Sequence, residues 1–168
     1  KHNSLGNEVC IEVLSMEIEN RLKEIGIELP PPVKPVANYV TTVQTGNLVF
    51  TSGHGPVSVS GELETGQLGT DMTIEEGYQS ARLVGLGLIS TLKDALGDLD
   101  RIKKIVKVVG FVNSTPDFLD HPKIVNGVSD LFVEVFGEKG KHARSAVGMV
   151  QLPGGIPVEV EVIVEVEG

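Results

Sequence analysis

The fold is decided by Val158-Glu159-Val160-Glu161-Val162-Ile163-Val164-Glu165-Val166, near the end of the chain. Valine occupies every second position of this stretch, and the positions between hold three glutamates and one isoleucine. Side chains of a β-strand point alternately to its two faces, so the period of two predicts a strand with one apolar and one largely polar face. We expect the valine face to pack against helices.

Upstream, the first half of the chain shows a strand hairpin and then a helix. Two strand patterns, Tyr39–Gln44 and Leu48–Ser52, flank a glycine-containing turn at Thr45-Gly46-Asn47. After an irregular loop from about His54 to Met72, a helix begins at Thr73-Ile74-Glu75-Glu76. This segment is a capping box, in which the Thr73 hydroxyl and the Glu76 carboxylate satisfy amides at a helix start.

The second half repeats the strand and helix patterns. A β-branched run over Ile102–Val112 predicts a strand, and Pro122 suits the first turn of a helix that continues to about Phe136. A further strand is predicted over Ser145–Gln151. The resulting order ββ-α-β-α-ββ predicts an α+β fold with two helices on one face of a mostly antiparallel sheet.

Length and patterning indicate one domain. The chain has 168 residues, of which 40% are hydrophobic, and this is enough for a single core. Met16 opens a helical pattern that Gly26 ends, and the prolines of residues 30–35 force an extended lead-in. We therefore assign residues 16–168 to one domain, with 16–37 as an N-terminal helix and lead-in. Residues 1–15 are predicted to be a dispensable extension.

Charge and cysteine content argue against several functional classes. The net charge is −9, and the densest basic stretch, from Arg101 to Lys107, is predicted to be a solvated strand face, so we expect no nucleic-acid partner. The single Cys10 cannot form an intrachain disulfide. No apolar run is long enough to span a bilayer, and no signal-peptide pattern is present, so we expect no membrane partner and a cytoplasmic location.

The candidate site residues lie in His142-Ala143-Arg144-Ser145-Ala146-Val147 and in the last strand. An arginine at the start of a strand can offer its planar fork to a carboxylate. A glutamate on the neighbouring strand can lie on the same face and transfer a proton. Alternatively, Arg144 forms a structural ion pair with Glu159 or Glu161, and spacing alone favours this second interpretation.

No metal site or cofactor site is predicted. The four histidines lack metal-ligand spacing, and Gly85-Leu86-Gly87 lies inside a helical pattern rather than in a phosphate-binding loop. The row of Glu159, Glu161 and Glu165 is predicted to be a solvated or interface-lining strand face rather than a metal centre.

An ordered set of motifs resembles the RidA (YjgF/L-PSP) family. Near its start the family carries Gly-Asn-Leu-Val-Phe leading into Ser-Gly, present here as residues 46–50 and Ser52-Gly53. Tyr39 stands where the family has its tyrosine. The remaining matches are Asp117-Phe118, Asn126, the Ala-Arg-Ser of residues 143–145, Leu152-Pro153 and Val158-Glu159-Val160-Glu161.

The resemblance implies a chorismate-mutase-like fold and a homotrimer with active sites between subunits. It implies hydrolysis of reactive enamines or imines, such as 2-aminoacrylate, to 2-oxo acids and ammonia, without a metal or organic cofactor. Arg144 would bind the substrate carboxylate and Glu159 would position or activate water. The substrate-binding positions implied by the family pattern are Tyr39, Asn126, Ser52, Gly53, His54 and Ala146.

This sequence departs from the family pattern at several of these places. His54 replaces a glutamine, and it is either a substrate-bonding or proton-shuttling residue or an exposed histidine in a turn. Ala146 replaces a frequent cysteine, Ser129 replaces a common tyrosine, and His142 replaces a proline. These changes indicate a divergent branch. They leave two alternatives to the deaminase, a non-catalytic ligand-binding trimer and, against the acidic charge, an RNA-cleaving enzyme or translation inhibitor.

Overall fold

A computed structural model, which describes residues 16–58 and 60–168, contains three α-helices and one five-stranded sheet. In chain order these elements are α1 (Glu17–Glu24), β1 (Thr42–Thr45), β2 (Leu48–Thr51), α2 (Ile74–Leu96), β3 (Ile102–Asn113), α3 (His121–Phe136), β4 (Ala143–Met149) and β5 (Val158–Val166). The strands lie in the order β1-β2-β5-β3-β4. All pairings are antiparallel except that of β3 with β4.

The predicted fold class is confirmed. Strand β5 has the predicted bounds and lies in the middle of the sheet, and its five alternate valines are all buried beneath α2 and α3. The capping box at the start of α2 forms as predicted, because Thr73 accepts from the Glu76 amide while the Glu76 carboxylate accepts from the Thr73 amide. The predicted extension, residues 1–15, lies outside the described residues.

Glycines bring the two long helices close together. A Cβ at Gly127 of α3 would lie 2.1 Å from the Tyr78 carbonyl oxygen of α2, and one at Gly85 of α2 would lie 2.8 Å from the Leu131 side chain. On α2, Gly85 therefore packs against α3, whereas a Cβ at Gly87 would meet no packed neighbour within 4 Å.

Two strand boundaries differ from prediction and affect the site. Strand β1 begins at Thr42, so Tyr39 precedes it. The preceding segment is held by Ser52, whose amide donates to the Thr41 carbonyl over 2.9 Å and whose hydroxyl donates to the Val40 carbonyl over 2.6 Å. Strand β4 begins two residues earlier than predicted, because its parallel ladder with β3 starts where Lys107 lies beside Ala143.

The sheet face opposite α2 and α3, called here the open face, is covered by no helix in the described ranges. It carries Glu159, Glu161 and Ile163 of β5, together with partly exposed apolar side chains on the other strands. Val43, Phe50 and Val147 are 55%, 38% and 41% exposed. A sheet face that leaves several apolar side chains partly exposed in this way is typical of an association surface. Of the described helices, none is long and apolar enough to cross a membrane.

Candidate functional site

Arg144 is held by α3 through one of its two terminal nitrogens. It lies on β4 at the edge of the sheet, beside the buried Val108, so its side chain points to the helix-covered face. Its Nη1 donates to Asn126 Oδ1 over 2.8 Å and to Ser129 Oγ over 3.0 Å. Within the described residues, Nε and Nη2 have no hydrogen-bond partner. That edge of the guanidinium can therefore make two parallel bonds to a carboxylate.

His142 extends this anchor by one more hydrogen bond. Its Nδ1 lies 2.6 Å from the Gly140 carbonyl oxygen, which can only accept, so Nδ1 carries a proton. Burial lowers the pKa of His142, the bond to Gly140 opposes that shift, and the positive charge of Arg144 reinforces it. In the neutral ring, Nε2 accepts from Ser129 Oγ over 2.9 Å. Ser129 thus donates to His142 and accepts from Arg144.

Glu159 lies on the open face beside a cavity of about 350 Å³. A Cβ at Gly53 would lie 2.0 Å from Glu159 Oε1, so a side chain at position 53 would displace the carboxylate from its present place. The residues lining the cavity are Tyr39, Gly53, Gly55, Leu63, Pro153, Gly154, Ile156 and Glu159. The structure therefore brings together three of the predicted site residues, namely Tyr39, Gly53 and Glu159.

The electrostatic surroundings of Glu159 favour its protonated form. Burial raises the pKa of its carboxyl, and the negative charge of Glu161 raises it further. Neither glutamate forms an ion pair with a lysine, arginine or histidine among the residues placed by the structure. A carboxyl group with a raised pKa at the wall of a cavity is suited to accept and return a proton.

The predicted relation between Arg144 and Glu159 within one chain is wrong. Strand β3 separates β4 from β5, so the two residues are not on neighbouring strands. They also occupy opposite faces, since Arg144 aligns with the buried Val108 whereas Glu159 aligns with Phe111 on the open face. For the same reason, the alternative of an intrachain ion pair between Arg144 and Glu159 or Glu161 is wrong.

His54 is neither an exposed turn residue nor part of the cavity wall. Its side chain is 3% exposed and lies on α2, with Nε2 2.8 Å from Thr91 Oγ1 and Nδ1 2.8 Å from the Ser52 carbonyl oxygen. Its backbone pairs with Val160, one residue out of the β2–β5 register. The Thr51 hydroxyl fills the gap by accepting from the Val162 amide. This bulge turns the ring inward, where burial lowers the pKa of His54.

Two further predicted residues have supporting positions. Ser52 holds the segment before β1 through Val40 and Thr41, next to Tyr39. Ala146 lies on the same face of β4 as Arg144 and packs partly buried against the core. Sequence reasoning missed the pairing of His142 with Ser129. The available signal was that both residues depart from the family pattern and lie within 15 residues of Arg144.

Comparison with known proteins identifies the family. Residues 19–162 match the family model described as "YjgF/chorismate mutase-like, putative endoribonuclease". The chain belongs to this YjgF, or RidA, family, and its chorismate-mutase-like fold is shared by solved structures named as a putative endoribonuclease and as RidA.

The relatives carry different names. The protein TCP17 of Trypanosoma cruzi is 46% identical over 154 residues, which are 91% of this chain and 96% of that protein. A "2-iminobutanoate/2-iminopropanoate deaminase" of Dermatophagoides farinae is 29% identical over 84% of this chain and 95% of its own length. The crystal structure of Atu1372 from Agrobacterium tumefaciens superposes with a TM-score of 0.83, at 41% identity, over 89% of this chain and 92% of that one.

Proposed function

We propose that this protein is an enamine/imine deaminase that hydrolyses 2-imino acids to 2-oxo acids and ammonia. The observation that carries the proposal is the Glu159 carboxyl, which has a raised pKa and faces a cavity beside Tyr39 and Gly53. The available edge of the Arg144 guanidinium supplies the complementary carboxylate-binding group. Family membership and the deaminase name of one relative support the same activity.

The proposed site lies between two subunits of a homotrimer. Arg144 and Glu159 lie on opposite faces of the sheet, so one chain alone cannot bring them to the same small substrate. In a cyclic trimer, the β4 edge of one subunit can meet the open face of the next. Arg144 of one subunit then lies near Glu159 of its neighbour, and the assembly contains three equivalent sites. The exposed Val43, Phe50 and Val147 supply apolar area for such an association.

The chemistry needs three contributions from the protein. The Nε and Nη2 groups of Arg144 bind the substrate carboxylate and orient the C=N bond. Ionised Glu159 accepts a proton from water as the water oxygen adds to the imine carbon. The imine nitrogen is protonated in this step, so the product is a neutral carbinolamine. Glu159 returns its proton to that nitrogen, the C–N bond breaks to release ammonia, and the again ionised Glu159 takes the hydroxyl proton as the ketone of the 2-oxo acid forms; that proton then leaves with ammonia as ammonium. In the proposed shared site, Tyr39 lies on the Glu159 side and Asn126 on the Arg144 side.

The deciding experiment is an imine-decay assay. An amino-acid oxidase acting on alanine or 2-aminobutyrate generates the 2-imino acid, and its disappearance is followed with and without this protein. Faster decay, proportional to protein concentration, is the expected result. Tight binding of 2-oxobutyrate without faster decay would instead support a non-catalytic ligand-binding trimer. RNA cleavage is disfavoured by the net charge of −9.

Mixing two inactive variants tests whether the site is shared. Trimers that contain both Arg144→Ala and Glu159→Gln subunits, isolated with two different affinity tags, should recover about a third of wild-type activity. The reason is that one of the three interfaces then joins an intact Arg144 to an intact Glu159. Imine decay is measured on the doubly tagged trimers and on each pure variant as control. No recovery in trimers verified by light scattering would contradict a shared site.

His142 is expected to affect substrate affinity more than turnover. His142→Ala removes the acceptor for Ser129 and loosens the anchor of Arg144. Since one hydrogen bond contributes about 0.5–1.5 kcal/mol, KM should rise roughly three- to tenfold while kcat changes less. The matched control is His121→Ala, which breaks a similar 3.0 Å contact with Ser114 outside this network. Equal kinetic changes in both variants would refute the role of His142.

A further inference from the structure

A second cluster of titratable side chains lies where α1 meets the turn between α2 and β3. It consists of Glu19 on α1 and of Asp98 and Asp100 in the turn, and one carboxylate oxygen from each lies within 4.8 Å of the others. Glu19 is 4% and Asp98 9% exposed, whereas Asp100 is half-buried. None of these residues belongs to the elements that hold Arg144 or Glu159.

Backbone amides fix all three carboxylates in place. The Asp100 oxygens accept from the amides of Glu17 and Ile18 over 2.7 and 2.9 Å, which ties the turn to the start of α1. Asp98 Oδ1 accepts from the Asp100 amide over 2.8 Å, and Glu19 Oε1 accepts from the Leu99 amide over 3.2 Å. The three carboxylates are therefore held in place without a ligand, although their negative charges repel one another.

A second observation, independent of the clustering, also points to a ligand, and it concerns Glu19 Oε2. Glu19 Oε2 is buried and has no hydrogen-bond partner in the described part of the chain. Neither Glu19 nor Asp98 forms an ion pair with a basic side chain in residues 16–58 and 60–168. A buried carboxylate oxygen without a partner is strongly unfavourable, and a cation bound beside it would remove the penalty.

We propose that Glu19, Asp98 and Asp100 bind a hard divalent cation, calcium or magnesium, that fastens α1 to the domain. The ligands are all oxygens, which these cations prefer, and no histidine or cysteine is among them. Two oxygens bound to one calcium ion lie at most about 5 Å apart, because each Ca–O bond measures about 2.3–2.6 Å. The three oxygens lie within 4.8 Å of one another and so meet the limit for calcium, whereas magnesium, with bonds of about 2.0–2.1 Å, requires them to lie within about 4.2 Å.

Isothermal titration of the chelator-treated full chain with calcium chloride, and separately with magnesium chloride, tests the proposal. The expected result is one equivalent bound by at least one of the two ions, with a rise in Tm on addition of that ion. Glu19→Gln and Asp98→Asn should each weaken binding at least tenfold and remove the rise in Tm. Glu24→Gln, an exposed change of equal charge on the same helix, should bind as the wild type does.

Two results would overturn the proposal. The first is the absence of binding of both ions at millimolar concentration to the folded wild-type chain, a measurement that needs no variant to fold. The second is unchanged binding in Glu19→Gln and Asp98→Asn, which would place the ion elsewhere, for example on the acidic row of the open face. Neither result bears on imine decay, so the cation site and the deaminase proposal stand or fall separately.

Discussion

Arg144→Ala should lower imine hydrolysis by roughly a hundredfold or more, because it removes two charge-assisted hydrogen bonds worth about 1.5–3 kcal/mol each. The fold and the proposed trimer should persist, since Arg144 is only partly buried and its partners Asn126 and Ser129 remain accessible to water. Light scattering and thermal melting check the assembly, and the imine-decay assay measures activity on the same preparation.

The shape of the guanidinium, rather than its charge, is the feature under test. Arg144→Lys should also fail, because an ammonium group cannot bind Asn126 and Ser129 through one nitrogen while presenting two others to a carboxylate. Arg82→Ala is the matched control, since it removes an arginine that pairs with Glu134 across α2 and α3. If Arg144→Ala melts early but keeps its activity per folded molecule, Arg144 is a scaffold residue and the mechanism fails.

The fold was predictable because local patterns and global packing agree. The alternating valines of β5 require one buried face, and that face packs in the same core as the apolar side chains of the two long helices. The capping box at Thr73 marked the start of α2. Each of these signals involves residues that lie close together in the sequence, and hydrophobic periodicity reports such local relations.

The site was less predictable because its geometry depends on strand order and register. Sequence spacing placed Arg144 and Glu159 on adjacent strands, but β3 lies between β4 and β5. The strand registers also direct the two side chains to opposite faces of the sheet. A one-residue change of register exchanges the faces of a strand. A register change also explains why the buried position of His54 was not predicted. The bulge after Thr51 turns its ring to the helix-covered face of the sheet.

The His142–Ser129 pair shows what a departure from a family pattern can mean. In the sequence, each substitution indicated only a divergent branch of the family. In the structure the two side chains bind one another, and Ser129 also binds Arg144, so they form one unit around that arginine. Two departures of this kind can be interpreted together only when the structure shows that the residues are in contact.

Glu159→Gln should lower turnover by about two to four orders of magnitude, the usual scale for a residue that handles a proton, while carboxylate binding through Arg144 is retained. Because the raised pKa belongs to the group that must be ionised to accept a proton, activity should fall on the acidic side at higher pH than for an ordinary glutamate. Glu161→Gln removes one cause of that shift, so its acidic limb should move to lower pH. Glu165→Gln, on the same face and paired with Lys103, is the control.

Stability separates this role of Glu159 from a structural one. The pKa of Glu159 is raised in the folded state, because the fold disfavours its ionised form. The protein therefore loses stability as pH rises from the unfolded-state pKa through the folded-state pKa of this carboxyl. Removing that charge should therefore leave the Tm at neutral pH unchanged or slightly higher. A residue whose charge is needed for packing would behave in the opposite way, with Tm and activity falling together. Melting curves of Glu159→Gln at pH 5 and pH 8, beside its pH–rate profile, distinguish the two, and a large loss of Tm at pH 8 would count against Glu159 as the proton acceptor.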